Sequence, residues 1–305
     1  MPSSIEKIIV ELGNTDKPLL NSKLTELSNL SSAEVELLER SWTAIDPKRR
    51  RQIVQRLVEL AEDNLELNFD SIFKYCLRDQ DDEVRSKAIE GLWENEDASL
   101  IDPLINLLKS DSSEKVRAAA AMGLGKFAIL AEHKKLRPCH TSKIQEALLG
   151  AIADKNQSVE VSRRALEAIA PMSLPQVKAA IMEAYQSHNS RLRISSIYAM
   201  GKSCDPGWLP ILLKELSSAD AEVRYEAAGA CGELEEEAAV PSLIKLVNDP
   251  DVDVQMAAIQ ALGKIGSSQA KECLQQCLDN ASEAVRQVAE QVLNELESQK
   301  DLLSF

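Results

Sequence analysis

Seven copies of one short pattern recur along the chain, and their spacing constrains the fold more than any other feature. Each copy has an apolar anchor, usually followed by Arg, a small residue four places on and an apolar residue eight places on. The anchors are Val84, Val116, Val161, Leu192, Val223, Val254 and Val285, separated by 32, 45, 31, 31, 31 and 31 residues. Positions i, i+4 and i+8 fall on one face of an α-helix. The small residue at +4 (Ala88, Ala120, Ala165, Ser196, Ala227, Ala258, Ala289) lets a neighbouring helix come close. A second amphipathic segment lies upstream, opening at Pro103, Pro210 and Pro241, each thirteen residues before its anchor. Proline suits the first turn of a helix, where its missing N–H costs nothing. Gly125, Gly201, Gly232 and Gly263 follow the pattern and are expected to stop the second helix. Each period therefore predicts helix, short turn, helix, short turn.

A pair of short helices cannot bury its own apolar face, and stacking on neighbours does so. The expected fold is all-α: a right-handed α-solenoid of stacked helix-turn-helix repeats with a period of about 31 residues. Composition argues the same way. Only eleven of 305 residues are Phe, Tyr or Trp, and Gly and Pro number eleven each, which is poor material for many short strands. The expected division is a helical cap over residues 1–64, a repeat array over 65–298 and a tail over 299–305. The long interval places an insertion at about 127–143, expected to extend one helix and add a basic loop. That insertion is either a tolerated addition or part of a binding face. In the cap, Ser31 and Glu34 form a capping box, and Asp46-Pro47 opens another helix.

The pattern resembles HEAT repeats, specifically the short HEAT-like type named after phycobilisome lyases. An Asp-rich turn, Val-Arg, Ala at +4 and apolar-Gly at +8 and +9 carry the resemblance, as in the run from Ala221 to Gly232. It covers about residues 65–298. It implies a scaffold in which each anchor Arg (Arg85, Arg117, Arg193, Arg224, Arg286) pairs with a turn acid of its own or the neighbouring unit. Asp79, Asp111 and Asp249 stand five residues before their anchors.

The chemistry-bearing residues are sparse. The three histidines, His133, His140 and His188, lack the His-Glu pairs of the HEAT-like enzyme deoxyhypusine hydroxylase, so a di-iron site is not expected. Nor is any other metal, any cofactor or any catalytic set of Ser, His and Asp expected. Six scattered Cys read as reduced thiols, with Cys76, Cys231, Cys273 and Cys277 in packing positions. The N-terminus lacks the build of a signal peptide, and no apolar run approaches the ~20 residues of a membrane span, so a cytoplasmic location is expected.

With 35 basic against 49 acidic residues, the net charge of −14 disfavours nucleic acid and anionic membranes. Residues 127–205 carry +4 between flanks of −7 and −11, which is either ordinary surface or a seat for an acidic partner segment. The run Lys48-Arg49-Arg50-Arg51 is either an anion or partner contact or a solvated face. The +2 and +6 positions should point away from the core. They hold Ile194, Tyr225 and Met256 at +2 and Tyr198 at +6, with Trp93 at +9 of its unit. These form an exposed recognition stripe, or core if the helix rotation differs. The expected function is a non-enzymatic protein-binding scaffold or adaptor. The alternatives are a lyase-type enzyme subunit acting on a modified or chromophore-bearing protein, and a nucleic-acid reader resembling alkyl-purine glycosylases, which needs a basic groove.

Overall fold

Helix caps recur at the same place in nearly every repeat, and they set the architecture. In the computed structural model, which describes residues 4–279 and 282–303, all regular structure among those residues is helical. The chain divides into two compact units, one ending at Ala168 and one beginning at Ile169. The first holds α1 (Ser4–Gly13), α2 (Asn21–Leu24), α3 (Ser32–Trp42), α4 (Pro47–Asp63), α5 (Asp70–Cys76), α6 (Asp82–Gly91), α7 (Ile101–Ser110), α8 (Glu114–Glu132) and α9 (Pro138–Ala153). Helix α10 (Val159–Ile169) ends at the boundary. The second unit holds α11 (Pro175–Tyr185), α12 (Ser190–Lys202), α13 (Leu209–Glu215), α14 (Ala221–Leu234), α15 (Val240–Leu246), α16 (Val252–Ile265), α17 (Ser268–Cys277) and α18 (Glu283–Leu303).

Three residues before the anchors, Asp81, Asp220 and Asp251 accept hydrogen bonds from the first amides of α6, α14 and α16. An acid there satisfies amides that have no partner within the helix. Within the first unit α4, α6 and α8 stack side by side, and within the second α12, α14, α16 and α18 do. The anchors and +4 residues line the core: Val84, Ala88, Val254 and Ala258 are all fully buried. The result is an all-α repeat fold of stacked helix pairs.

The turn acids join one repeat to the next. Arg85 donates from Nε and Nη2 to the two carboxylate oxygens of Asp111, at 2.8 and 2.7 Å. Its Nη1 donates to the carbonyl of Asp79 in its own turn, at 2.7 Å. Arg224 repeats this with Asp249 (2.7 and 2.8 Å) and the carbonyl of Ser218 (2.8 Å). Of the two pairings left open by spacing, the carboxylate therefore comes from the following unit, while the unit's own turn supplies carbonyls. Asp111 and Asp249 also accept the amides of Ser113 and Asp251, which fixes their orientation. The Arg224 guanidinium holds the Asp249 carboxyl below the usual carboxylate range. Where Ser218 replaces the turn acid, Glu215 on α13 takes its place and receives Arg193 at 3.0 Å.

Four expectations are revised. Gly125, Gly201, Gly232 and Gly263 do not stop helices; they lie inside α8, α12, α14 and α16. A Cβ on Gly201 would stand 2.6 Å from the Cα of Ala230, and one on Gly232 2.8 Å from the Cα of Ala261. These glycines let successive second helices touch backbone to backbone. The stop three residues further on is a left-handed residue: Cys204, Glu235 and Gly266, with φ of 49°, 53° and 61°.

Within the run Lys48 to Arg51 the two central cations are neither solvated nor open to an anion, while Lys48 and Arg51 are exposed. Arg49 and Arg50 are buried. Arg49 donates to the carbonyls of Leu12 and Lys17, and Arg50 to that of Ile45 while pairing with Asp79 at 3.2 Å. Arg51 binds Asp81 through two nitrogens. Carbonyls left without partners at helix ends draw these cations inward.

The insertion lengthens both α8 and α9 where one longer helix was expected; the expected basic loop is the short link His133–Arg137, with Lys134, Lys135 and Arg137, and Phe127 is fully buried. At the C-terminus α18 continues to Leu303, and residues 304 and 305 of the expected tail lie outside the described residues.

Candidate functional site

The close packing of α12, α14 and α16 produces an open slot on the second-helix face of the second unit. Small residues carry its floor: Gly229 and Ala230 from α14, Ala257 and Ala261 from α16. Tyr198 and Tyr225 stand over it, 38% and 43% exposed. The cavity holds about 160 Å³. Large rings beside Gly and Ala leave a recess for a bulky apolar group, and exposed tyrosines supply contact area at low entropy cost.

Beside the rings runs a second ladder. Glu233 on α14 accepts from Lys202 of α12 at 2.9 Å and from Lys264 of α16 at 2.7 Å. All three sit at +10 of their repeats. Burial alone would raise the Glu233 carboxyl, but the two ammonium groups more than offset it and hold it below the usual range. Burial likewise opposes the charge on Lys202, and the bond to Glu233 keeps its pKa above the ordinary lysine value. The Lys202 ammonium also lies 5.6 Å from the centre of the Tyr198 ring. In the first unit Lys126 occupies the same repeat position. It is half-buried and donates to the carbonyl of Leu92, and burial lowers its pKa to about 8.

Of the five residues singled out from sequence, Tyr198 and Tyr225 are brought together. Ile194 and Met256 are half-buried and do not line the slot. Trp93 belongs to the first unit, where it is 65% exposed after the end of α6. Sequence reasoning passed over Lys202, Glu233 and Lys264, although the period of 31 places them in register. It also passed over Met122, at +6 on α8 and largely exposed.

Two further depressions continue from the slot, one beside it and the second beyond the first, with Gln291 and Glu295 common to both. One lies between α16 and α18, shares Gln260 and Lys264 with it, and is bordered by Glu235 and Glu295. The other runs along α18 past Glu290 and Glu295. Among the described residues no group of three or more His, Cys, Asp and Glu is placed to hold a metal ion. The six thiols are free, and burial pushes those of Cys231 and Cys277 up to about 12. No described helix is long and apolar enough to cross a membrane.

Comparison with known proteins agrees with this architecture. The family model for HEAT repeats matches residues 69–138 and 209–294. No curated protein sequence is detectably similar. Among solved structures, the complex of CpcE and CpcF of phycocyanin lyase from Nostoc sp. PCC7120 is 18% identical. The match covers 86% of this chain and 97% of that one, with a TM-score of 0.56. Kap95p, solved bound to RanGDP, is 14% identical over 95% of this chain and 45% of its own, with a TM-score of 0.52. Kap95 in complex with Nup1 is 15% identical over 96% of this chain and 46% of its own, also at 0.52.

Proposed function

Because the chain belongs to the HEAT-repeat family, we propose that it is a protein-binding scaffold that holds a partner on its second-helix face, without chemistry of its own. The observation that carries this reading is the slot where Tyr198 and Tyr225 overhang a floor of Gly and Ala. Tyr198, at repeat position +6, and Tyr225, at +2, stay 38% and 43% exposed even with Lys202 lying against the Tyr198 ring. Two of the similar folds, the CpcE–CpcF complex and Kap95 with its partners, are themselves seen in protein complexes. Nucleic acid fits the slot poorly, since carboxylates border it and the two lysines beside it are already bound to Glu233.

The test is capture from an extract of the source organism with the tagged full chain, against the Tyr198→Ala/Tyr225→Ala double variant. Loss of a captured protein from a variant with unchanged helical content is expected. Equal capture by both proteins removes the slot as the docking site.

A second reading is favoured by one observation, the likeness to the CpcE–CpcF complex over nearly all of that chain. In it, the protein is a subunit of a lyase acting on a chromophore-bearing protein. Bound pigment or turnover in the purified protein, alone or with the captured partner, distinguishes it from the scaffold.

A further inference from the structure

The charges around the tyrosine slot do not balance, and their imbalance indicates what the partner presents. The slot and its two adjoining depressions are bordered by five glutamates and two lysines. Both lysines are committed to one of those glutamates, Glu233. Glu235 lies on the rim at the end of α14, and Glu290 and Glu295 stand exposed on α18. A trough with a surplus of three negative charges repels an acidic segment and attracts a cationic one.

We infer that this trough binds an extended, basic segment of a partner protein, with one bulky apolar side chain seated between Tyr198 and Tyr225 and cations lying against Glu290 and Glu295. This rests on the scaffold reading and deepens it. Stacked helices lie roughly 9 Å apart, so the step from α14 across α16 to α18 spans roughly 18 Å. An extended chain rises about 3.3 Å per residue, which places the cations about five or six residues from the apolar anchor. The orientation is fixed by chemistry at both ends. The charges lining the slot itself balance, Lys202 and Lys264 against Glu226 and Glu233, whereas the α18 end is polar along its whole lining and carries Glu290 and Glu295 without a cation.

The experiment uses the full chain and three fluorescein-labelled synthetic peptides in a Gly/Ser background. The first carries one Phe and a Lys-Arg pair six residues away, the second replaces Phe by Ala, and the third replaces Lys-Arg by Glu-Glu. Fluorescence anisotropy should give the tightest binding for the first, weakening as salt rises. The Glu290→Lys/Glu295→Lys variant should lose at least tenfold. The Glu272→Lys/Asp279→Lys variant makes the same change of net charge on exposed positions at and just beyond α17 and should stay within twofold. The Tyr198→Ala/Tyr225→Ala variant should no longer distinguish Phe from Ala. The inference is overturned if the two charge-reversal variants lose affinity equally, if the Glu-Glu peptide binds as well as the basic one, or if none of the three binds. Cellular capture that depends on the tyrosines but ignores Glu290→Lys/Glu295→Lys would overturn the charge inference and leave the scaffold standing.

Discussion

Two ladders of charge run through the stacked repeats at the same period, and they serve different ends. On the turn side the guanidinium groups of Arg85 and Arg224 are each closed by one carboxylate of the next repeat and by carbonyls of their own turn. The side chains of Arg85 and Asp111 are 11% and 7% exposed, those of Arg224 and Asp249 12% and 5%. Nothing is left over for an outside molecule. On the second-helix face, Glu233 serves two lysines at once, and Lys264 remains half exposed. Tyrosines stand alongside, and carboxylates without lysine partners continue along the trough. The position of a charge within the repeat thus decides whether it holds the stack together or remains available at the surface.

The strongest way to break this contrast is through the packing beneath the second ladder. Gly232→Val or Gly201→Val would drive a side chain into a neighbouring helix backbone that cannot yield. A loss of about 3 kcal/mol or more of unfolding free energy is expected in urea titration. Gly229→Ala faces open space within α14 and should stabilise by about 0.5–1 kcal/mol, the penalty that glycine carries in a helix interior. On the turn side, Arg224→Ala strands Asp249 and should cost about 3 kcal/mol. Arg224→Lys should recover little of it, because the fork to both carboxylate oxygens needs a guanidinium.

Acid sharpens the comparison. The folded Asp249 carboxyl is depressed by Arg224, so its contribution is complete above the ordinary carboxylate pKa and disappears as pH falls through the lower folded value. Asp249→Asn should therefore lower stability at neutral pH and flatten the acid limb below about pH 4. Glu233→Gln acts on a more exposed pair of bonds and should cost less than about 1 kcal/mol. A comparable change, about 1 kcal/mol, is expected for Tyr198→Ala/Tyr225→Ala, which loses the covered part of two rings and the Lys202 contact, while partner capture should change most.

The fold was legible because burial and capping recur at fixed spacing: the anchor, the small +4 residue and the capping acid each have one physical reason to be there. What local rules missed depended on neighbours in space. Gly201 and Gly232 read as helix stops because glycine commonly ends helices. Their requirement comes instead from Ala230 and Ala261 one repeat further on. Arg49 and Arg50 read as surface because four cations in a row resemble a solvated run; the carbonyls of Leu12, Lys17 and Ile45 that bury them lie elsewhere in the sequence. Tyr198 and Tyr225 were found by helix periodicity. Lys202, Glu233 and Lys264 are just as periodic, but they sit one residue beyond the +9 glycine that closes the repeat pattern.

The three left-handed residues at +12 have a consequence for how this protein could evolve. Only Gly266 takes that backbone geometry without steric penalty; Cys204 and Glu235 keep side chains there at roughly 1 kcal/mol each. Two single-codon routes to greater heat resistance therefore lie open outside the core. Taking the one at Glu235 would also erase an acidic group from the border of the trough, so under the proposed recognition of a basic segment hardiness and binding would pull that codon in opposite directions.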